Sequence, residues 1–177
     1  MKPERFETTK AFFGTMGFLF VLLPVIFIGI PYKILSSPNH TLLFDIRELR
    51  YFGIVPIVCG AIIYFWCSFC FIFIGKGSPI HAMPPKKLVV SGLFRFVRNP
   101  MYIGGFPILL GEVILFQSQD LLAYFLLMFG IFNLHVLAFE EPRLSKRFGE
   151  SYKHYRAGVR RWIPRLTPYR GNNSPSG

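Results

Sequence analysis

Charge is scarce in this chain, and acidic charge scarcest. Only 16% of its 177 residues are Asp, Glu, Lys or Arg, against about 25% in an ordinary soluble domain. Nine acids face 20 Lys and Arg, for a net charge of +11. A disordered basic tail is excluded, because 52% of the residues are hydrophobic and 21 are Phe. A nucleic-acid module is excluded as well, since it would not leave long stretches uncharged. Cysteine is also sparse. Cys59, Cys67 and Cys70 share one apolar stretch and lack the polar access and four ligands of a zinc or redox motif. They read as small buried hydrophobes, and no metal site is expected. There is no Walker loop, no Rossmann G-x-G-x-x-G, no H-E-x-x-H and no nucleophile–base pair. Membrane spans leave no room for a separate soluble nucleotide-binding domain.

What is present is long apolar sequence. Residues 11–30 form twenty uncharged residues, about 30 Å as helix and so one bilayer core. That run is too long for a signal-peptide core and has no small-x-small cleavage site, so it reads as a retained span. Residues 51–74 form a second uncharged run, with Pro56 and Gly60 tolerable in a membrane helix. Residues 101–139 are too long for one span and break at Gln117-Ser118-Gln119-Asp120, which predicts a tight helical hairpin with a short first arm. The expected fold is all-α, a membrane bundle of about four spans. The single membrane domain 1–177 divides into a two-span region at 11–74, a core at 75–166 and a disordered tail at 167–177.

Basic residues orient the bundle. With both termini on the cytoplasmic side, seventeen Lys and Arg lie inside and three outside. The cytoplasmic segments 75–100 and 140–177 flank the same hairpin, so they meet in space and can build one site.

In the first segment, Gly and Pro fix turns where backbone amides approach a ligand, and Arg95 and Arg98 can hold an anion. Phe94 and Phe96 offer apolar or stacking surface. The plain alternative is a basic linker that touches lipid phosphates. In the second segment, Glu140 and Glu141 stand beside Pro142 at the membrane edge. They either bind hydroxyls or a cation of a ligand, or begin a helix whose dipole favours them. Leu144, Phe148, Tyr152 and Tyr155 form an aromatic stripe with a basic opposite face, as in a helix lying on an anionic membrane surface or lidding a site there. Within the hairpin, Glu112 is either a functional candidate, the default reading of an intramembrane carboxylate, or a protonated Glu bonded to a neighbouring helix. His135, too far along the second arm to pair with it, lies near the expected site as a ligand contact or a capped interfacial residue.

Gly75-x-Gly77-Ser78-Pro79, Pro84-Pro85-x-x-Leu88-Val89, the run from Gly92 through Arg98-Asn99-Pro100-Met101-Tyr102 to Gly104, and Glu140-Glu141-Pro142-x-Leu144-x-x-x-Phe148-Gly149-x-x-Tyr152-x-x-Tyr155 together resemble the isoprenylcysteine carboxyl methyltransferase-like family. The related phospholipid methyltransferases share the Glu pair. The resemblance covers roughly half the chain. It implies an integral membrane methyltransferase that binds S-adenosylmethionine at the cytoplasmic face and methylates a lipid-like or prenylated acceptor from the bilayer. By resemblance, Lys86, Lys87, Leu88 and Val89 line the cofactor, Phe94 takes an aromatic position, and Arg98 belongs to the same loop. Asn99, Pro100, Met101 and Tyr102 form the turn into the third span, and Glu140 contacts the cofactor beside Glu141. No catalytic residue is assigned. Asn99 and Phe94 stand where the eukaryotic prenylcysteine enzymes have His and Tyr. Val136 stands where they place an Arg near the substrate carboxylate, so a neutral acceptor is expected. Two other functions remain open: a non-catalytic membrane binding protein on the same scaffold, and a membrane-embedded NADPH-dependent reductase.

Overall fold

The computed structural model describes residues 24–37, 46–73 and 88–170, with backbone alone at 71–73. Most of the first predicted span, the loop 75–87 with Lys86 and Lys87, and the end of the tail at 171–177 lie outside the described residues. Among those described there is no strand. The all-α expectation therefore holds.

Helix α1, Val25–Leu35, opens with a π turn over Val25–Gly29 and runs on through Pro31. The sequence reading ended this span at Ile30, five residues early. The wide turn removes the usual objection to proline. In it the Ile30 N–H reaches back five residues to the Val25 carbonyl, and Pro31, lacking an N–H, leaves the Ile26 carbonyl free. Tyr124 donates its hydroxyl to that carbonyl at 3.1 Å.

A 3-10 turn at Arg47–Gly53 leads into α2, Ile54–Phe73. Helix α3, Pro100–Phe116, packs antiparallel on α2 in the most extensive helix contact of the fold. Four glycines permit it. Gly53 lies against Gly111 and Gly60 against Gly104, and a Cβ on any of them would come under 3.0 Å from the other helix's backbone. Lipid gives apolar side chains no reason to prefer one another, so the association rests on backbone proximity and dispersion.

The hairpin turns where its polar residues predict. Gln117 ends α3 in the left-handed region at φ 52°, and Ser118 caps α4, Gln119–His135, by accepting from the Leu121 N–H at 3.3 Å. A π turn, Val136–Glu140, then carries the chain without a break into α5, Glu141–Gly158. Gly149, at φ 51° and ψ −126°, splits α5, so the expected amphipathic helix is two pieces. Only a residue without Cβ takes that conformation easily.

Among the described residues, two helical stretches are long and apolar enough to cross a membrane, Arg47–Cys70 and Gln119–Gly158, while Val25–Leu35 and Pro100–Phe116 are shorter apolar helices. Their outward faces are hydrocarbon. Val58, Ile62 and Phe65 on α2 and Leu126, Leu127 and Leu134 on α4 are all exposed, a surface that suits lipid rather than water. Cys67 and Cys70 are buried as expected, whereas Cys59 is exposed on the apolar face of α2.

Candidate functional site

The loop before α3 and the chain after α4 do meet. Leu88, Val89 and Val90 are extended, and successive side chains of extended chain point to opposite sides. Val89 packs inward on Cys67, Cys70 and Phe94, with Met101 against the same cluster. Leu88 and Val90 face the other way, onto Tyr152, Tyr155 and Val159. The segment is a shim between α2 and α5. Phe94, expected to offer a stacking surface, is 6% exposed because its ring fills the inner cluster.

The aromatic stripe of α5 also turns inward. Tyr152 and Tyr155 are 2% and 4% exposed and gather Leu144, Phe148 and Tyr169 around them. They cover the loop 88–98 instead of a membrane surface. The second piece of α5, beyond the break at Gly149, packs on the loop. Tyr155 donates to the Phe94 carbonyl at 2.7 Å. The chain beyond follows the same loop: Arg98 N–H donates to Arg160 at 3.0 Å, Arg165 N–H to Phe96 at 2.9 Å, and Tyr169 N–H to Arg95 at 2.8 Å. Arg95 returns a bond from Nε to the Tyr169 carbonyl at 2.9 Å. Packed structure thus continues to Tyr169, beyond the 166 boundary expected for the core.

The two glutamates have different surroundings. Glu141 is 6% exposed and joins two arginines. Arg98 reaches it at 3.0 Å, and Arg161 grips both oxygens, Nε at 2.6 Å and Nη2 at 2.9 Å. Such a planar fork is the strong form of ion pair. Burial works to raise the Glu141 carboxyl, but the Arg161 hydrogen bond and the charges of Arg98, Arg161 and Arg156 outweigh it and hold the group below its usual range. Among the described residues, no cation pairs with Glu140, and it accepts one hydrogen bond, from the Tyr102 hydroxyl at 3.1 Å. Burial pushes its carboxyl up against the opposing effect of that bond, and the charge of Glu141 adds to the rise.

Among the described residues, Ser91 Oγ, Arg98 Nε and Asn99 Nδ2 in this loop are buried without a hydrogen-bond partner. A buried donor without a partner costs about 1–3 kcal/mol. Pro100 starts α3 fully buried. Elsewhere in the hairpin, Glu112 Oε2 is likewise buried without a partner, and His135 stacks on Phe139 at 5.7 Å. Val136, four residues before Glu140, is completely buried.

Sequence reasoning missed Arg161, Trp162 and Tyr169. No motif marks them, and Glu141, Tyr102 and Arg95, which they reach, lie 20 to 74 residues away. The only available signal was the aromatic and basic character of 155–170.

The phospholipid methyltransferase profile matches residues 49–151. Among curated proteins, the chain is 35% identical over 78 residues to the protein-S-isoprenylcysteine O-methyltransferase of Schizosaccharomyces pombe, covering 44% of this chain and 33% of that one. It is 25% identical over 146 residues to the probable protein-S-isoprenylcysteine O-methyltransferases of Oryza sativa subsp. indica and subsp. japonica, covering 77% of this chain and 74% of each of theirs. The chain therefore spans about a third of the length of the S. pombe relative. No solved structure matches it. The profile covers more than half of the chain, including the glycine seam, the loop 88–100, the hairpin and the glutamate pair, and the chain belongs to the phospholipid methyltransferase family of membrane proteins.

Proposed function

We propose that this protein transfers a methyl group from S-adenosylmethionine to a lipid-like acceptor at the cytoplasmic face of a membrane. The observation that carries the reading is the contrast between the glutamates. Glu141 is neutralised by two arginines, while Glu140 is met, among the described residues, only by a tyrosine hydroxyl. A half-buried carboxylate with capacity for further donors, bonded to Tyr102 three residues beyond unsatisfied Asn99, fits a ligand rich in hydroxyl, amino and carboxylate groups. S-adenosylmethionine would supply an electrophilic methyl on a positively charged sulfur.

Glu140 would accept hydrogen bonds from the cofactor, and Asn99 Nδ2 would donate one. Leu88, Val89 and the turn Asn99–Tyr102 give the wall, and Lys86 and Lys87 extend it as the resemblance implies. Arg98 and Glu141 hold that wall to α5. In-line displacement asks chiefly for alignment and exclusion of water. The lid made by Tyr152, Tyr155 and residues 159–169 serves exclusion, and α3 and α4 open the site toward lipid.

The favoured acceptor atom is neutral, such as a lipid amine or thiol. An acceptor carboxylate needs a cation, or its desolvation costs several kcal/mol. Val136 is apolar and sealed, Arg98 is paired with Glu141, and Arg95 is bonded to the Tyr169 carbonyl. Supplying the purified protein with methyl-labelled S-adenosylmethionine and a fractionated lipid extract should label a neutral-acceptor lipid, and faster than farnesyl-cysteine. Faster turnover of farnesyl-cysteine would overturn the acceptor assignment. Binding of NADPH in place of S-adenosylmethionine would favour the reductase, and binding without turnover the non-catalytic scaffold.

The proposed topology has four spans with both termini inside. A cysteine probe for the hairpin tip belongs at exposed Gln119, because Ser118 is buried. In a background without native thiols, it should react with an impermeant reagent from the outer side only. A cysteine at exposed Ser151 should react from the cytoplasmic side only.

A further inference from the structure

Trp162 lies outside the stretch matched to the family, which ends at residue 151. Its indole nevertheless stands edge-on to the Tyr102 ring, with centroids 6.1 Å apart, and 6.1 Å from the Phe106 ring. On α4, Phe132 approaches the same tyrosine at 5.4 Å. The ring that carries the hydroxyl bonded to Glu140 therefore contacts two rings of the hairpin, Phe106 and Phe132, and one of the lid, Trp162. The residue before Trp162 is Arg161, whose fork on Glu141 fixes this part of the chain. Two adjacent residues thus reach two adjacent glutamates, Arg161 directly and Trp162 through Tyr102.

We propose that Trp162 is a positioning residue for the cofactor site, holding the Tyr102 ring so that its hydroxyl fixes the Glu140 carboxylate in its ligand-accepting rotamer. The proposal rests on the reading that Glu140 contacts S-adenosylmethionine. A tyrosine ring in lipid or at its edge has several staggered orientations. Without a wall on one side, the hydroxyl no longer has to meet Glu140. The competing role for a tryptophan at this depth is simple anchoring at the membrane interface. An anchor would act on stability and insertion, without regard to Tyr102.

The test uses the full-length protein in lipid nanodiscs. Trp162→Ala should weaken S-adenosylmethionine binding by roughly three- to tenfold, from the usual worth of an aromatic pair. It should raise KM for the cofactor more than it lowers kcat. Trp162→Phe should restore most of the affinity. Ile62→Ala, on the exposed apolar face of α2 and away from the site, is the control and should bind as wild type does. The deciding measurement is the double mutant: on a Tyr102→Phe background, Trp162→Ala should add little, because its effect runs through the missing hydroxyl. If the two losses add in full, Trp162 acts as an anchor and the proposal is overturned. Should Trp162→Ala fail to fold, Trp66→Phe leaves Trp162 as the one tryptophan of the chain. Its emission should then shift on adding S-adenosylmethionine, and an unchanged spectrum at saturation overturns the proposal. Wild-type protein that binds no S-adenosylmethionine would remove the underlying reading and this one with it; tight binding that ignores Trp162 would remove this one alone.

Discussion

Helix α3 is held by opposite means along its body and at its start. Along its body it meets α2 through Gly104 and Gly111, where side chains are missing and backbones touch. At its start, Arg98 ties it to α5 through an ion pair with Glu141, and Tyr102 ties it to the end of the π turn through a hydrogen bond to Glu140. The difference follows the surroundings. In hydrocarbon, close approach is what two apolar helices gain over lipid contact. At the membrane edge water competes, and an ion pair contributes only when buried and well oriented. Arg98 and Glu141 meet that condition, with side chains 9% and 7% exposed, whereas the surface pair Lys153–Glu150, at 74% and 73%, does not.

The seam should be the harder of the two to breach. Gly60→Leu places a branched side chain where even a Cβ meets the Gly104 backbone. Neither helix can shift without opening the Gly53–Gly111 contact, so we expect loss of the folded monomer, visible as aggregation in size-exclusion chromatography. A monodisperse, fully stable variant would mean that the seam is loose.

Breaking the clasp should cost less but still much. Glu141→Gln leaves Arg98 and Arg161 without their counter-charge, an expected loss of about 3–5 kcal/mol by thermal or denaturant unfolding. The pH dependence has a definite sign. Because the folded-state carboxyl is held below its ordinary value of 4.5, its contribution is present above that pH and is lost as the pH falls through the lowered value. Glu141→Gln should therefore flatten the acid limb of the stability profile.

The neighbouring glutamate sharpens the contrast, since its shift has the opposite sign. Burial raises Glu140 above 4.5, so its ionisation costs stability increasingly as the pH rises from there through the raised value. Glu140→Gln should leave unfolding unchanged or slightly delayed at neutral pH. It should also weaken S-adenosylmethionine binding by about ten- to a hundredfold, measured by calorimetry. A Glu140 variant as unstable as the Glu141 variant would assign both residues to the clasp.

The smallest effect comes from a glycine outside the seam. Gly130, in α4, has nothing within 4 Å of its would-be Cβ. Gly130→Ala should raise stability by about 0.5–1 kcal/mol through helix propensity. The same change at Gly60 should lower it. If both glycines responded alike, backbone proximity would not be what distinguishes them.

Legibility in the sequence follows the range of the interactions. The hairpin was readable because its signals are local: two apolar arms and a polar tip at Gln117–Asp120. That the loop before α3 meets the chain after α4 followed from connectivity alone. The stripe Leu144–Phe148–Tyr152–Tyr155 was readable as a stripe, but periodicity does not say what a helix face covers. Pro31 was read as an end because the π turn that accommodates it has no sequence marker. Val136 was legible as apolar, and its complete burial was not.

Composition and order along the chain by themselves determined that this is an all-α chain with apolar helices suited to a membrane, a hairpin at its centre and a polar face where its basic segments gather. Those properties are sums over residues or relations between near neighbours, and they survive any detail of packing. Only the tertiary structure decided which glycine faces which, and that Glu141 is matched by Arg98 and Arg161 while Glu140 keeps a single hydroxyl. The physical reason is that Glu140 and Glu141 are identical in type and adjacent in sequence, yet consecutive residues of a helical turn point in different directions, and here only Glu141 points at the arginines.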